Sequence, residues 1–227
     1  MKSQKTSLYL VPTPIGNLGD ITVRAVEVLK SVDFILAEDT RQTNKLLNHL
    51  GIKKKVYAHH KFNEQASTNG ILDLLDQGHS CALVSDGGSP CISDPGFYLS
   101  RACIDRDFLI EALPGPTAFV PALMVSGLPM HQFVFEGFLP VKKGRKTRLD
   151  QLKSEYRTMI FYESPHRLLK TLGQFNEVFG PTRRISVSRE LTKMYEETQR
   201  GTIEDVLSIF QGRDAIRGEF VIVVEGC

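Results

Sequence analysis

The sequence predicts an α/β protein made of two α/β domains. Three observations carry that reading. Short apolar runs rich in branched and aromatic residues recur along the chain, amphipathic helical patterns separate several of them, and a Pro-Gly-Pro segment interrupts the middle. Brief apolar runs bounded by turn residues read as strands buried on both faces. Alternation of strands with helices argues for largely parallel sheets.

In order, strands are expected at Leu8–Val11, Phe34–Ala37, Cys81–Val84, Leu109–Leu113, Phe133–Gly137, Met159–Tyr162, Ile185–Ser188 and Phe220–Val224. One helical pattern runs through Val23, Val26, Leu29 and Lys30, with Thr22 near its start. A second, Ile71, Leu72, Leu74 and Leu75, ends at Gly78. A third holds Leu168, Leu169, Leu172 and Phe175. Thr before a helix and Gly after it are ordinary start and stop signals. Leu113-Pro114-Gly115-Pro116-Thr117 stops a strand and stiffens a link, so the division falls into residues 1–113 and 114–227.

Of the 227 residues, 41% are hydrophobic and 24% charged, values of an ordinary globular protein rather than a disordered or membrane one. A net charge of +2 excludes a polycation that binds by charge alone, so basic residues must be read by position. Two runs stand out: Lys53-Lys54-Lys55, and the segment 142–148 with Lys142, Lys143, Arg145, Lys146 and Arg148. Such runs are usually solvated faces, and here also candidate RNA phosphate contacts. The four cysteines form no C-x-x-C pair and have no His at zinc spacing, so neither a disulfide framework nor a metal site is expected. Cys81 opens an apolar run and reads as a buried small hydrophobe. The polar start Met1–Ser7 and the short run Leu8–Val11, broken by Pro12, offer no signal-peptide core or membrane span. A cytoplasmic protein is expected.

Several loops at strand ends have the composition of a ligand site. Residues 11–20 combine Pro12 and Pro14, which stiffen the chain, with Gly16 and Gly19, which allow tight turns. The spacing is neither G-x-G-x-x-G nor a Walker A loop. Residues 85–96 hold Gly87, Gly88 and Gly96, two prolines, Asp86 and Asp94; an ordered loop of that length is costly in entropy unless used. Its end, Asp94-Pro95-Gly96, leads into a helix from about Phe97. Glu38, Asp39 and Arg41 follow a strand, and read either as partners of a hydroxylated ligand or as a capped helix start with Arg41 in solvent. His59-His60-Lys61-Phe62-Asn63-Glu64 reads as a surface turn. Glu163, His166 and Arg167, and Arg189 to Lys193, stand at further strand ends.

Together these blocks carry a resemblance. Leu10 to Thr22 (Leu-Val-Pro-Thr-Pro-Ile-Gly-Asn-Leu-Gly-Asp-Ile-Thr), Ala37-Glu38-Asp39-Thr40-Arg41, Ser85-Asp86-Gly87-Gly88-Ser89-Pro90, Ile92 to Gly96, Leu113 to Pro116, Ser126 to Pro129, Gly137 to Pro140, Phe161 to Arg167 and Arg189 to Lys193 occur in order. They resemble the successive motifs of the RsmI-type small-subunit ribosomal RNA methyltransferases, in the tetrapyrrole methylase superfamily of class III S-adenosylmethionine enzymes. The family commonly has Asp-Ala-Gly-Thr-Pro where this chain has Asp86 to Pro90; both changes keep small residues and a hydroxyl.

The resemblance implies two tetrapyrrole methylase-like α/β domains with the cofactor cleft between them, usually in a homodimer, and 2′-O-methylation of a cytidine in small-subunit rRNA. It places S-adenosyl-L-methionine against Pro12, Thr13, Pro14, Ile15, Gly16, Asp86, Gly87, Gly88, Ser89, Pro90, Ser93, Thr117 and Ala118. More loosely it adds Glu163, Ser164, Leu191, Gly218, Glu219 and Phe220. Glu38, Asp39 and Arg41 are expected to orient the acceptor, with Glu163 and Arg189 as second candidates. Two other readings compete: methylation of a porphyrin or corrin precursor, and an RNA- or ribosome-binding module without catalysis. The basic run argues against the first; binding of the cofactor would argue against the second.

Overall fold

The five strands of the first half form one all-parallel sheet, in the order β3-β2-β4-β1-β5. They are β1 (Leu8–Leu10), β2 (Phe34–Ala37), β3 (Lys55–Ala58), β4 (Cys81–Val84) and β5 (Ile110–Ala112), joined by α1 (Val23–Ser31), α2 (Thr40–His49), α3 (Glu64–Asp76) and α4 (Phe97–Asp105). This computed structural model describes residues 6–227; residues 1–5 of the polar start lie outside the described residues. Parallel neighbours need crossovers, and helices supply all four. Side chains alternate across a strand, so each face needs its own cover. Ala25 and Leu29 of α1 and Leu47 of α2 pack on Ile35, Ala37, Ala82 and Val84. On the other face Ile71, Leu72 and Leu75 of α3 and Leu99 and Cys103 of α4 pack on Leu8, Phe34, Leu36 and Leu83.

The path of the chain prepares a site. From β1 it passes to β2 and β3 on one side; from β4 it passes to β5 on the other. Since β1 and β4 are neighbours, their outgoing loops diverge to opposite faces. That is the switch point at which open α/β sheets hold ligands, beyond the carboxyl ends of the strands.

The second half, after α5 (Phe119–Ser126), forms another five-stranded sheet, ordered β6-β7-β10-β8-β9. Its strands are β6 (Phe133–Phe138), β7 (Thr158–Glu163), β8 (Arg184–Arg189), β9 (Glu197–Thr202) and β10 (Phe220–Val224). Only β6 and β7 pair in parallel; β7-β10, β10-β8 and β8-β9 are antiparallel. The expectation of largely parallel sheets therefore holds for the first sheet and fails for the second, where β10 inserts between β7 and β8. Three helices, α6 (Arg145–Leu152), α7 (Leu168–Phe179) and α8 (Ile203–Gln211), bury Leu149, Leu172, Phe175 and Phe210 against Met159, Phe161, Val187 and Ile222. Thr202 and Asp205 close a capping box at the start of α8.

The eight expected strands are present, three with the expected ends and five with ends shifted by one residue. β3 and β9 were not expected. Both are edge strands, exposed or half-buried; Glu-Thr-Gln-Arg-Gly-Thr has no apolar run, and in Lys-Val-Tyr-Ala the run is only three residues long behind a lysine. Charge on an edge strand blunts unwanted pairing, which is the same feature that hides it from a hydrophobicity reading. Contacts group the chain up to Thr117 into one compact unit and Ala118–Cys227 into another. Among the described residues no helix is long and apolar enough to cross a membrane.

Candidate active site

In the first unit, the loops leaving β1 and β4 are tied by backbone. The Thr13 N–H donates to the Gly88 carbonyl at 2.9 Å, and the Gly88 N–H to the Thr13 carbonyl at 2.8 Å. The buried Thr13 hydroxyl donates to the Ser85 carbonyl, and the Ser85 hydroxyl to the Gly88 carbonyl, each at 3.1 Å. Gly88 has φ 100°, a region L-residues avoid. A third segment joins them. The Ser89 hydroxyl donates to the Pro116 carbonyl at 3.1 Å and lies 2.5 Å from the Thr117 hydroxyl. Gly115 packs on Pro12 so closely that a Cβ would stand 2.6 Å from Pro12 Cβ. Pro12 to Pro14, Gly88, Ser89 and Thr117, far apart in sequence, thus form one rigid edge. Gly16, Asp86, Gly87 and Ser93 are exposed. Ala118 opens the second unit.

Four carboxylates serve this edge in different ways. Asp39 is the N-cap of α2: its Oδ1 accepts the Arg41 N–H at 2.8 Å, and the Arg41 guanidinium grips both oxygens at 3.1 and 2.7 Å. These bonds hold its carboxyl down to about 2. The capped helix start weighed from the sequence is realised, with Arg41 exposed. Asp86 Oδ1 accepts the Asp39 N–H at 2.9 Å, which binds the β4 loop to α2. Glu38 is pushed the other way, above the usual carboxylate range, first by burial and then by the charge of Asp86. Asp94 rises to about 7, first through burial and then through Glu38, with a hydrogen bond from Ser85 opposing. The sequence had given Asp94 only a turn; no local signal shows that the fold lays it near Glu38.

The expected surface turn at His59–Glu64 is present in its middle, where Lys61 and Phe62 are exposed, and fails at its two ends. His59 is wholly buried, its Nδ1 2.9 Å from the Ser67 hydroxyl, and burial pushes its pKa down. Glu64 is also buried and accepts the Gly96 and Tyr98 N–H groups at 2.8 and 3.0 Å, so its charge sits at the start of α4. The segment serves to anchor the far end of the 85–96 loop.

In the second unit the register aligns Phe220 with Glu163 on one side and Arg189 on the other, at one end of the sheet. Glu163 is not placed to orient a ligand. It is buried, and its oxygens accept the Ser164 N–H at 2.8 Å and the Thr171 hydroxyl at 2.6 Å, with the Arg167 guanidinium at 2.9 Å and that of Arg145 at 3.8 Å. Arg189 is also engaged, donating to the Arg217 carbonyl and to Glu197. Leu191 is buried beside a turn in which Glu190 accepts the Glu219 N–H at 3.0 Å, and a Cβ on Gly218 would meet Glu190 at 2.5 Å.

The basic run divides. Arg145 is buried, donating to Gln174, to the Pro140 carbonyl and to Thr171, and so cannot meet RNA. Arg148 is gripped by Glu136 at 2.8 and 2.6 Å. Lys142, Lys143 and Lys146 are exposed. In the other run, Lys54 donates to the Val32 carbonyl.

Asp94 has a measurable signature. Between its ordinary 3.8 and about 7 the folded protein keeps a proton that the unfolded chain has lost, so stability falls as pH rises through that window. Asp94→Asn is expected to raise Tm more at pH 8 than at pH 4 in circular-dichroism melts. Equal shifts at both values would mean that the carboxyl titrates normally.

The model of the family described as Tetrapyrrole (Corrin/Porphyrin) Methylases matches residues 7–207. The chain is 47% identical to the ribosomal RNA small subunit methyltransferase I of Escherichia coli O157:H7, over 96% of this chain and 77% of that protein. It is 49% identical to the protein of the same name from Bacillus subtilis strain 168, over 99% of this chain and 77% of that one. Among solved structures, the methyltransferase CobJ superposes with a TM-score of 0.73 at 18% identity, covering 98% of this chain and 95% of that chain. The uroporphyrin-III C-methyl transferase of Thermus thermophilus, complexed with S-adenosyl homocysteine, superposes at 0.66 and 17%, covering 96% and 97%. At those identities the likeness concerns the fold, whereas the family match and the near-full-length relatives agree: the chain belongs to the tetrapyrrole methylase family, beside relatives named ribosomal RNA small subunit methyltransferase I.

Proposed function

We propose that this chain transfers a methyl group from S-adenosyl-L-methionine to RNA of the small ribosomal subunit, at the 2′-oxygen of a cytidine. The observation that carries the reading is identity of 47–49% to the relatives of that name, over 96–99% of the chain. Such a substrate implies a cytoplasmic protein, and the resemblance a homodimer. Light scattering is expected to give twice the 25.4 kDa of one chain; the single value would refute the dimer.

The residues proposed to hold the cofactor are Pro12 to Gly16, Asp86 to Pro90, Ser93, Thr117 and Ala118, with Ser164, Leu191, Gly218 and Glu219 from the second unit. The first-unit edge suits that group: backbone at Gly16 and Gly87 and the Asp86 carboxylate are exposed on it, a fit for ribose hydroxyls and a cationic amino acid. When bound, S-adenosylmethionine supplies an electrophilic methyl group on sulfur. What remains for the chain is to place the acceptor hydroxyl and to take up its proton. A proton acceptor works best with a pKa near ambient pH. Asp94, raised to about 7, meets that condition, and burial shifts Glu38 in the same direction. Asp39, held at about 2, keeps to capping α2.

Incubation with radiolabelled cofactor and small ribosomal subunits is expected to yield labelled 2′-O-methylcytidine; RNA without label overturns the reading. Glu38→Gln is expected to lower kcat by about 10²–10⁴-fold with cofactor affinity unchanged. Asp39→Asn, still a good cap, should cost little. The reverse order would transfer the role to Asp39.

Lys142, Lys143 and Lys146 are proposed to meet RNA phosphates. Replacing all three with Gln is expected to reduce the slope of log K against log salt by about 2–3. An unchanged slope removes them from the interface.

A further inference from the structure

Within the first unit, a cleft of about 210 Å³ opens between the β1 loop and α2. Thr13 and Asp86 form one wall; Gln42, Thr43, Lys45 and Leu46 form the other. Three features set it apart from a packing defect. Thr43 is 5% exposed, yet its hydroxyl has no hydrogen-bond partner among the described residues. A buried polar group left unpaired is costly, so a hydroxyl lining a cleft in that state is suited to a partner supplied from outside. The Lys45 ammonium is exposed and donates to Gln42 at 3.2 Å, beside that hydroxyl in sequence and on the same helix. Thr13, Pro14 and Asp86, which line the cleft, belong also to the edge proposed for the cofactor, so the two sites adjoin.

We infer that this cleft receives the acceptor nucleotide of the RNA, with the Thr43 hydroxyl bonded to its base or sugar and Lys45 on its phosphate. This deepens the functional reading above and rests on it. Size favours the nucleotide over the cofactor. The volume lies below the roughly 300–1,000 Å³ of pockets for drug-sized ligands, which suits one nucleoside lifted out of its strand. Lys45, exposed on one wall, offers a cation to the nucleotide's phosphate, and Asp86 stands on the other wall.

The test is methyl transfer to small ribosomal subunits by the full chain, beside titration calorimetry with S-adenosylmethionine. Thr43→Val removes the unpaired hydroxyl at constant shape. Its KM for the subunit is expected to rise about tenfold, with the cofactor Kd unchanged and Tm equal or higher; Thr43→Ser should restore KM. Lys45→Gln, on an exposed site that folding does not need, should also raise KM and lower the salt slope by about 0.7–0.9. A weakened cofactor Kd in Thr43→Val would assign the cleft to the cofactor and overturn the inference. An unchanged KM in Thr43→Val would do the same. Should Thr43→Val fail to fold, unchanged KM in Lys45→Gln is decisive against it. These results leave the wild-type reaction standing. A wild-type chain that labels no RNA overturns both the functional reading and this one.

Discussion

The site depends on the reciprocal backbone pair between Thr13 and Gly88. At the carboxyl ends of β1 and β4 the chain leaves for opposite faces of the sheet, and the strands stop holding the two loops together. Ordering a free loop costs about 1–2 kcal/mol per residue in backbone entropy. The pair recloses the gap. It requires a residue at 88 that tolerates φ 100°. Other contacts then pin the loop from end to end: Ser85 at its root, Ser89 on Pro116, and the Glu64 carboxylate on Gly96 and Tyr98 at its close. A loop so fixed presents Asp86 and Gly87 in one conformation, so less is lost when a ligand settles on them.

The same fixing separates two adjacent acids. Glu38 and Asp39 are neighbours in sequence, yet one is pushed up by burial and by Asp86, and the other pulled down by Arg41. Pairs of titratable groups driven apart by their surroundings mark an acid–base assignment. The driver here is the end of β2. Glu38 still follows the buried strand, whereas Asp39 turns out to cap α2 and meets its first N–H groups.

Much of this was legible in the sequence, and the failures have common causes. The buried strands could be read because burial on both faces demands an apolar run. β3 and β9 could not: unlike the edge strands β5 and β6, which lie in longer apolar runs, they hold their place mainly by backbone pairing. The loops at residues 12–16 and 86–90 could be read from their glycines and prolines, which serve a backbone requirement visible in the residue type. Asp94, Glu64 and His59 could not. Their roles follow from which residue a neighbouring loop sets beside them, and no spacing in the sequence encodes that.

The basic run makes the sharpest case for the difference between charge in sequence and charge in space. Arg145 lies in its middle, yet its guanidinium donates to Thr171, whose hydroxyl donates in turn to Glu163 at the end of β7. A buried ion pair adds little net stability, because both charges had to leave water, but stripping one partner typically costs about 3–5 kcal/mol. Arg145 is therefore hard to replace for reasons unconnected with RNA. Its burial also fixes the first turn of α6, so the exposed Lys142, Lys143 and Lys146 are displayed around an anchored residue rather than along a free loop. Three cations on a fixed frame would lose less freedom on meeting phosphates than five on a flexible one, so burial of Arg145 would favour the contact proposed for the lysines beside it.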